Sequence, residues 1–254
     1  MRVWARGRLL DPADPVYPAS DPVPTHGLGL FETCAVIDGR VFALDRHLAR
    51  LRRSAAALDL AVDEDAITAG VAAVTGPDVG RLRITVGSPH GPVLVAESSP
   101  SRPSPALHRS SWVRNERSPL AGHKSTAYAA DALALADARR HGADEAVLAD
   151  TRGRLSEGST SNVWVELDGE LLTPTLASGC LPGVMRELVL EWSARAGLPV
   201  REVDLPWTVL DRRDIGLAVS NALRGFVPAR ALDGRPHGTT PVIAAVRELV
   251  DLRR

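Results

Sequence analysis

Apolar and polar positions change period repeatedly along this chain, and the changes mark out short elements of mixed type. Residues 2–10 read as a hairpin turning near Arg6-Gly7. A Pro/Asp-rich loop from Asp11 to Pro24 leads to Gly27-Leu-Gly-Leu-Phe-Glu-Thr-Cys-Ala-Val-Ile37, a strand approached through glycines. Asp38-Gly39, two residues that tolerate positive φ, predicts a tight hairpin with a return strand over 41–44. Leu48, Leu51, Ala55 and Leu58 fall at helical spacing behind Asp45, a candidate N-cap. Ile67, Gly70, Val71 and Val74 do the same behind Asp63, and Gly76-Pro77 stops that helix. Arg81–Val86 and Pro92–Ala96 alternate like strands around a Gly-Ser-Pro-His-Gly turn.

The stretch Ser98–Pro119 breaks the pattern: it is rich in Ser, Pro and Arg, with a short strand, Ser111–Arg114, within it. It reads as the domain boundary. Ser125 or Thr126 then opens an Ala/Leu-rich helix that ends at Gly142. Strands follow over 145–150 and after Arg154, with a hairpin at Asp168-Gly169. Leu181-Pro-Gly183 enters a helix running from Val184 to Ala196; residues 217–228 read as a strand with a turn, and a last helix runs from Pro241 to about Leu252. Frequent hairpins among mixed elements predict an α+β chain of two domains, an N-terminal one over 1–115 and a C-terminal one over 123–254, joined by 116–122.

Composition narrows the function classes. A hydrophobic fraction of 44% and a charged fraction of 24% suit a soluble globular core, and a net charge of −1 argues against nucleic acid or a membrane surface as partner. No secretory signal or membrane-spanning run is legible, so a cytoplasmic location is expected. Cys34 and Cys180 lie far apart and read as reduced thiols. The seven histidines include no His-Glu-x-x-His and no clustered pair, so no metal is expected.

One residue then changes the picture. Lys124, in Leu120-Ala-Gly-His-Lys-Ser-Thr-Ala-Tyr128, is the only lysine among 30 basic residues; the rest are arginines. A lysine amine can lose its proton and attack a carbonyl to form a Schiff base, which a guanidinium cannot do. A Schiff-base lysine suggests pyridoxal phosphate, which also needs an acidic partner for its pyridine nitrogen and a cradle for its phosphate. Glu157, in Leu155-Ser-Glu-Gly-Ser159, is the candidate acid. The helix entry at Leu181-Pro-Gly-Val-Met185 offers N–H groups to an anion, as does Ser220-Asn-Ala222 at a strand end, and Arg50 in His47-Leu-Ala-Arg-Leu51 can pair with a phosphate.

In this order, Phe31-Glu-Thr33, His47-Leu-Ala-Arg-Leu51, Lys124, Ser156-Glu-Gly158, Leu181-Pro-Gly183 and Asn221-Ala222 resemble the class IV (fold-type IV) pyridoxal-phosphate enzymes. These include branched-chain and D-amino-acid aminotransferases and 4-amino-4-deoxychorismate lyases. The resemblance runs from about Gly27 to Pro228. It implies a small N-terminal and a larger C-terminal domain with the cofactor between them, and a homodimer. It implies that Lys124 holds the cofactor and shuttles the substrate proton, and that Glu157 binds the pyridine nitrogen. Arg50 and the amides of Val184, Met185, Asn221 and Ala222 would hold the phosphate, with Tyr128, one helical turn after the lysine, near the cofactor's phenolic oxygen.

Within the family, Thr33, Met185 and Asn221-Ala-Leu223 followed by Val227-Pro228 resemble the lyases, in which such a threonine helps proton transfer. The implied reaction is loss of pyruvate from 4-amino-4-deoxychorismate to give 4-aminobenzoate, as in folate biosynthesis. Leu28 stands where lyases have Asp, the loop Gly87–Pro92 has no arginine for a substrate carboxylate, and Tyr128 resembles the aminotransferases. Arg83, on the neighbouring strand, is the candidate substitute for that carboxylate contact. Transfer of an amino group to a 2-oxo acid is the alternative reaction.

Overall fold

The fold was described from a computed structural model covering residues 1–99 and 103–254. Pro100, part of the Ser/Pro/Arg-rich stretch, lies outside the described residues. The chain divides into two compact units, Met1–Ser101 with His123–Tyr128, and Arg102–Gly122 with Ala129–Arg254.

The first unit is a six-stranded antiparallel sheet carrying helices. Its strands are β1 (Arg2–Ala5), β2 (Arg8–Leu10), β3 (Leu30–Ile37), β4 (Arg40–Val41), β5 (Arg81–Val86) and β6 (Val93–Glu97), in the order β2-β1-β6-β5-β3-β4. Its helices are α1 (Pro22–His26), α2 (Leu44–Ala57) and α3 (Glu64–Val74). The expected turns form at Arg6-Gly7 and Asp38-Gly39, all four at positive φ. Asp63 caps α3 by accepting the Ala66 N–H at 2.9 Å. The return strand is shorter than expected: β4 stops at Val41 and α2 starts at Leu44, with Ala43 at φ 50° as N-cap and Asp45 inside the first turn.

Strand alternation sorts β3 into two faces. Leu30, Cys34 and Val36 join Leu51 and Ala55 of α2 in a buried core with Leu82, Ile84 and Leu94. Phe31, Thr33 and Ala35 therefore point to the opposite face, and so do their register partners Thr85, Arg83 and Arg81 on β5. Burial of Cys34 and the nearby Glu32 charge push its thiol well above the usual range, so it is inert packing.

The second unit holds two five-stranded sheets. One runs β12-β11-β10-β13-β14, from β10 (Asn162–Leu167), β11 (Glu170–Thr173), β12 (Val200–Glu202), β13 (Gly216–Asn221) and β14 (Gly225–Pro228). The other runs β16-β15-β7-β8-β9, from β7 (Ala106–Arg114), β8 (Glu145–Asp150), β9 (Leu155–Gly158), β15 (Ala231–Leu232) and β16 (Arg235–Pro236). Leu107, Val147, Leu155, Val163, Val165, Leu217 and Val219 join both sheets in one core. Helices α5 (Val184–Ala196) and α6 (Pro241–Asp251) complete the unit with α4 (Ala129–Arg140), which packs through Ala134 and Ala138 onto Ala106, Ala146 and Leu148.

The units divide the chain differently from the expected 1–115, 116–122 and 123–254. Strand β7 is nine residues long, not four, because it pairs in parallel with both β8 and β15, and this binds the 102–122 stretch to the second unit. Pairing on both sides overrides a sequence with little apolar alternation. Residues 123–128 are not the start of a helix; Ser125 bridges Leu30, and α4 begins only at Ala129.

Candidate active site

Lys124 is set by backbone pairing. Its carbonyl accepts the Phe31 N–H at 2.8 Å, and the Thr126 N–H donates to the Gly29 carbonyl at 2.8 Å. The glycines before β3 make this approach possible: a Cβ on Gly29 would stand 2.8 Å from the Val86 carbonyl oxygen and 3.1 Å from Thr126 Oγ1. His123 anchors the segment to α2 through a 3.0 Å contact between its Nδ1 and Ser54 Oγ.

The lysine side chain lies on the face of β3 that carries Phe31 and Thr33. Its Nζ stands 4.4 Å from the Phe31 ring centre and 5.7 Å from that of Tyr128. Tyr128 is not one helical turn beyond the lysine as expected, because the helix begins only at Ala129; its ring still meets Phe31 edge-on at 5.4 Å. Arg83, opposite Thr33 in the β3–β5 register, also covers the Phe31 ring, at 3.8 Å. Burial, then the neighbouring Arg81 charge, lower the Arg83 pKa, opposed by Tyr17 and Tyr128. Burial and the Asp21 charge push the Tyr17 phenol up to about 12, so it is a neutral donor at physiological pH. Lys124, Arg83 and Tyr128 thus surround the Phe31 ring, with Thr33 opposite Arg83 in the register and Tyr17 near Arg83.

Arg50 lies on the other side of β3, in the layer between sheet and helix. Its Nε and Nη2 donate to the two oxygens of Glu32 at 2.9 and 2.5 Å, and His47 Nδ1 reaches Glu32 Oε2 at 2.7 Å. All three side chains are buried. Arg50 is one turn before Ser54 on α2, the residue that holds His123. Glu32 and His47 are partners of Arg50 that local pattern rules pass over. The signal was available as a buried-strand acid followed by His47 and Arg50 at helical spacing.

In the second unit, Glu157 sits on β9 with its carboxylate fixed from two directions. Oε2 accepts the Leu181 N–H at 2.9 Å, and Oε1 pairs with Arg114 Nε at 3.0 Å. Arg114, at the end of β7, also binds Asp131 of α4 at 2.5 Å. The strand ending in Glu157 is braced by Glu145, wholly buried, which accepts from Ser159 Oγ and from the Thr160 N–H and hydroxyl. Arg114, Asp131 and Glu145 carry no local signal, since their partners are distant in sequence.

The entry to α5 is an uncapped helix N-terminus. Gly183 is the N-cap with no side-chain cap bond, and Val184 and Met185 are buried in the first turn. Asn162 holds the loop by donating to the Leu181 carbonyl at 2.9 Å, and a Cβ on Gly183 would fall 2.0 Å from its Oδ1. Asn221 fixes the β13–β14 turn: its Oδ1 accepts the Leu223 and Arg224 N–H groups at 3.1 and 2.8 Å. Arg254 donates to the carbonyls of Ala222 and Leu223. An amine, a fixed carboxylate and a helix N-terminus without a side-chain cap are the donor set that pyridoxal phosphate requires, so the residues present fit that cofactor.

A family profile described as amino-transferase class IV matches residues 29–232. The chain belongs to the class IV aminotransferases. Pyridoxal phosphate, expected from Lys124, is the cofactor of this family, and a hypothetical aminotransferase from Mycobacterium tuberculosis solved in its PLP-bound form aligns with a TM-score of 0.86. That protein is 26% identical and the alignment covers 99% of this chain and 98% of the other. A bifunctional aminodeoxychorismate lyase / D-amino acid transaminase of M. tuberculosis is 28% identical, over 99% of this class IV chain and 98% of its own. The branched-chain-amino-acid aminotransferase of Escherichia coli K12 is 34% identical over 131 residues, covering 49% of this chain and 41% of that relative. The match thus spans less than half the length of such branched-chain relatives. Among the described residues, no helix is long and apolar enough to cross a membrane.

Proposed function

We propose that this class IV enzyme is a lyase that removes pyruvate from 4-amino-4-deoxychorismate to give 4-aminobenzoate. The observation that carries the reading is that Thr33 and Arg83 are register partners on the sheet face that bears Lys124. The near-full-length similarity to a bifunctional aminodeoxychorismate lyase / D-amino acid transaminase supports it.

Bound pyridoxal phosphate supplies an aldehyde for the substrate amine and a ring that takes up the electron pair left when a C–H bond breaks. Lys124 is the residue that carries the cofactor and, once displaced by the substrate amine, takes the proton from the reacting carbon. The Thr33 hydroxyl helps pass a proton to the departing enolpyruvate oxygen. Arg83 pairs with a substrate carboxylate, and Tyr17 offers a neutral O–H beside it. Glu157 pairs as an anion with the ring N–H, its orientation fixed by Leu181 and Arg114. Arg50, the Val184 and Met185 amides and the Asn221-Ala222 turn hold the phosphate. Tyr128 would lie near the cofactor's phenolic oxygen, as the resemblance implies.

Holoenzyme given 4-amino-4-deoxychorismate with no oxo acid should release 4-aminobenzoate and pyruvate in equal amounts over many turnovers. Turnover that depends on an added 2-oxo acid, with no 4-aminobenzoate formed, would establish the second reading, a transaminase. The Tyr128 ring beside Lys124 and the double activity of the M. tuberculosis relative favour that alternative. In either reaction Glu157→Gln should still bind cofactor but turn over on the order of 10²-fold more slowly, since a preorganised charge opposite the ring nitrogen is lost. Unchanged turnover removes Glu157 from the role.

A further inference from the structure

The C-terminal end of α4 brings together three groups that the sequence keeps apart. Asp137 and His141 are four residues apart, and the His141 N–H still bonds to the Asp137 carbonyl at 3.2 Å, so both project from one side of the helix end. His108, on β7, stacks on His141 with ring centres 4.2 Å apart and planes 10° apart. Its Nε2 is 3.8 Å from Asp137 Oδ2. One ligand atom from each of the three residues lies within 4.8 Å of the others. The expectation that no histidines cluster fails because the pair is formed by a strand and a helix end, which no local spacing rule can detect.

The other nitrogen of His108 is already engaged, and His141 Nδ1 lies 3.8 Å from Asp137 Oδ1. His108 Nδ1 faces Asp233 Oδ1 at 3.2 Å, and His141 Nδ1 faces the Asp137 carbonyl oxygen at 3.0 Å. An imidazole that donates Nδ1–H to an oxygen keeps its lone pair on Nε2, and such outer partners orient and strengthen histidine ligands. The geometry points to a divalent transition-metal site formed by His108, Asp137 and His141. Two imidazoles and one carboxylate suit zinc and its borderline neighbours, and not calcium or magnesium, which take oxygen ligands. Parallel rings cannot both aim in-plane lone pairs at one ion. The His141 ring, whose side chain is 55% exposed, turns out of the stack on capture and gives up its Nδ1 contact with the Asp137 carbonyl, while His108 and Asp137, each 19% exposed, stay in place, with Asp137 Oδ1 on Arg140 at 2.8 Å and Oδ2 toward His108. The exposed side leaves the remaining coordination positions to water.

Such an ion ties the end of α4 to β7. These are the elements that supply Asp131 and Arg114, the groups that lead to Glu157. The site therefore acts as a clamp on the second unit, outside the cofactor chemistry, and does not depend on which reaction the enzyme performs.

The test is titration of chelator-treated holoenzyme with zinc chloride alone, followed by calorimetry and thermal unfolding. One ion per chain should bind with a Kd of about 10 μM or tighter, and a hundred-fold excess over Kd should raise Tm by about 5 °C. His108→Gln and His141→Ala should each weaken binding at least about ten-fold. His26→Ala, which changes no member of the cluster, should leave binding unchanged. With copper(II) as probe, the paramagnetic spectrum should show nitrogen coupling that is lost in the two cluster variants. Binding weaker than about 100 μM, or equal affinity in wild type and both cluster variants, overturns the site.

Discussion

Lys124→Arg should leave the fold intact and remove the yellow, lysine-bound form of the cofactor together with turnover. The structural half of this expectation rests on how the side chain is held. Its Nζ lies over the Phe31 ring at 4.4 Å, and a guanidinium stacks on an aromatic face at least as well as an ammonium does. The backbone bonds that place the residue do not involve its side chain. Tm should therefore shift by no more than about 2 °C. The chemical half rests on the amine: an arginine neither forms the covalent link nor takes a proton at neutral pH. Loss of the proton transfer alone costs about 10²–10⁴-fold in turnover, before the cost of the missing link is added. Visible absorbance of the cofactor-saturated variant and a turnover assay check both halves. A variant that keeps its activity would refute the assignment of Lys124.

The second large effect is on stability, at Glu32. Burial alone would push this carboxyl up; the Arg50 charge, hydrogen bonds from His47 and Arg50, and the His47 charge outweigh burial and hold it down at about 2. A depressed carboxyl contributes its full stability above its ordinary value near 4.5 and loses it as pH falls through the native value. The protein should therefore lose on the order of 3 kcal/mol between pH 4.5 and pH 2 through this one group. Glu32→Gln should remove that segment of the acid unfolding curve. At neutral pH it should also destabilise the protein by about 3–5 kcal/mol, because it leaves the buried Arg50 charge without its anion. Urea unfolding of both proteins at pH 7 and at pH 3 measures the two effects. Equal losses of stability on acidification would show that Glu32 is not the group responsible. If Arg50 holds the phosphate as proposed, the same variant also binds cofactor less tightly, since Arg50 is no longer aimed.

Local chemistry made much of the fold legible. Turn residues such as Asp38-Gly39 and Asp168-Gly169, the Asp63 cap and the apolar periods of α2 and α3 act within a few residues, and the structure agrees with them. The misplaced features depend on partners far along the chain. Strand β7 carries Arg109, Ser110 and Ser111, which no period marks as a strand, and it forms because β8 and β15 flank it. Ser125 and Thr126 resemble a helix start, but Leu30 and Gly29 pair with them first. The same divide runs through the site. Lys124 is marked by being the only lysine, Glu157 by the need for an acid at the ring nitrogen, and the α5 entry by the free N–H groups of a helix start after Pro182-Gly183. Arg114 holds Glu157, Glu145 braces the loop after it and Glu32 holds Arg50, through partners 14 to 43 residues away in sequence.

The return of residues 123–128 to the first unit sets an order of events during synthesis. A nascent chain that has emerged only to residue 101 can form all six strands around the α2 core, but the segment that satisfies the Phe31 N–H and the Gly29 carbonyl has not yet been made. The amine arrives only after β7, which belongs to the other unit, has been translated. Closing this loop costs chain entropy that short-range helix and hairpin contacts do not incur. A chain stalled before residue 124 therefore lacks the amine that, on the proposed function, would hold the cofactor's aldehyde.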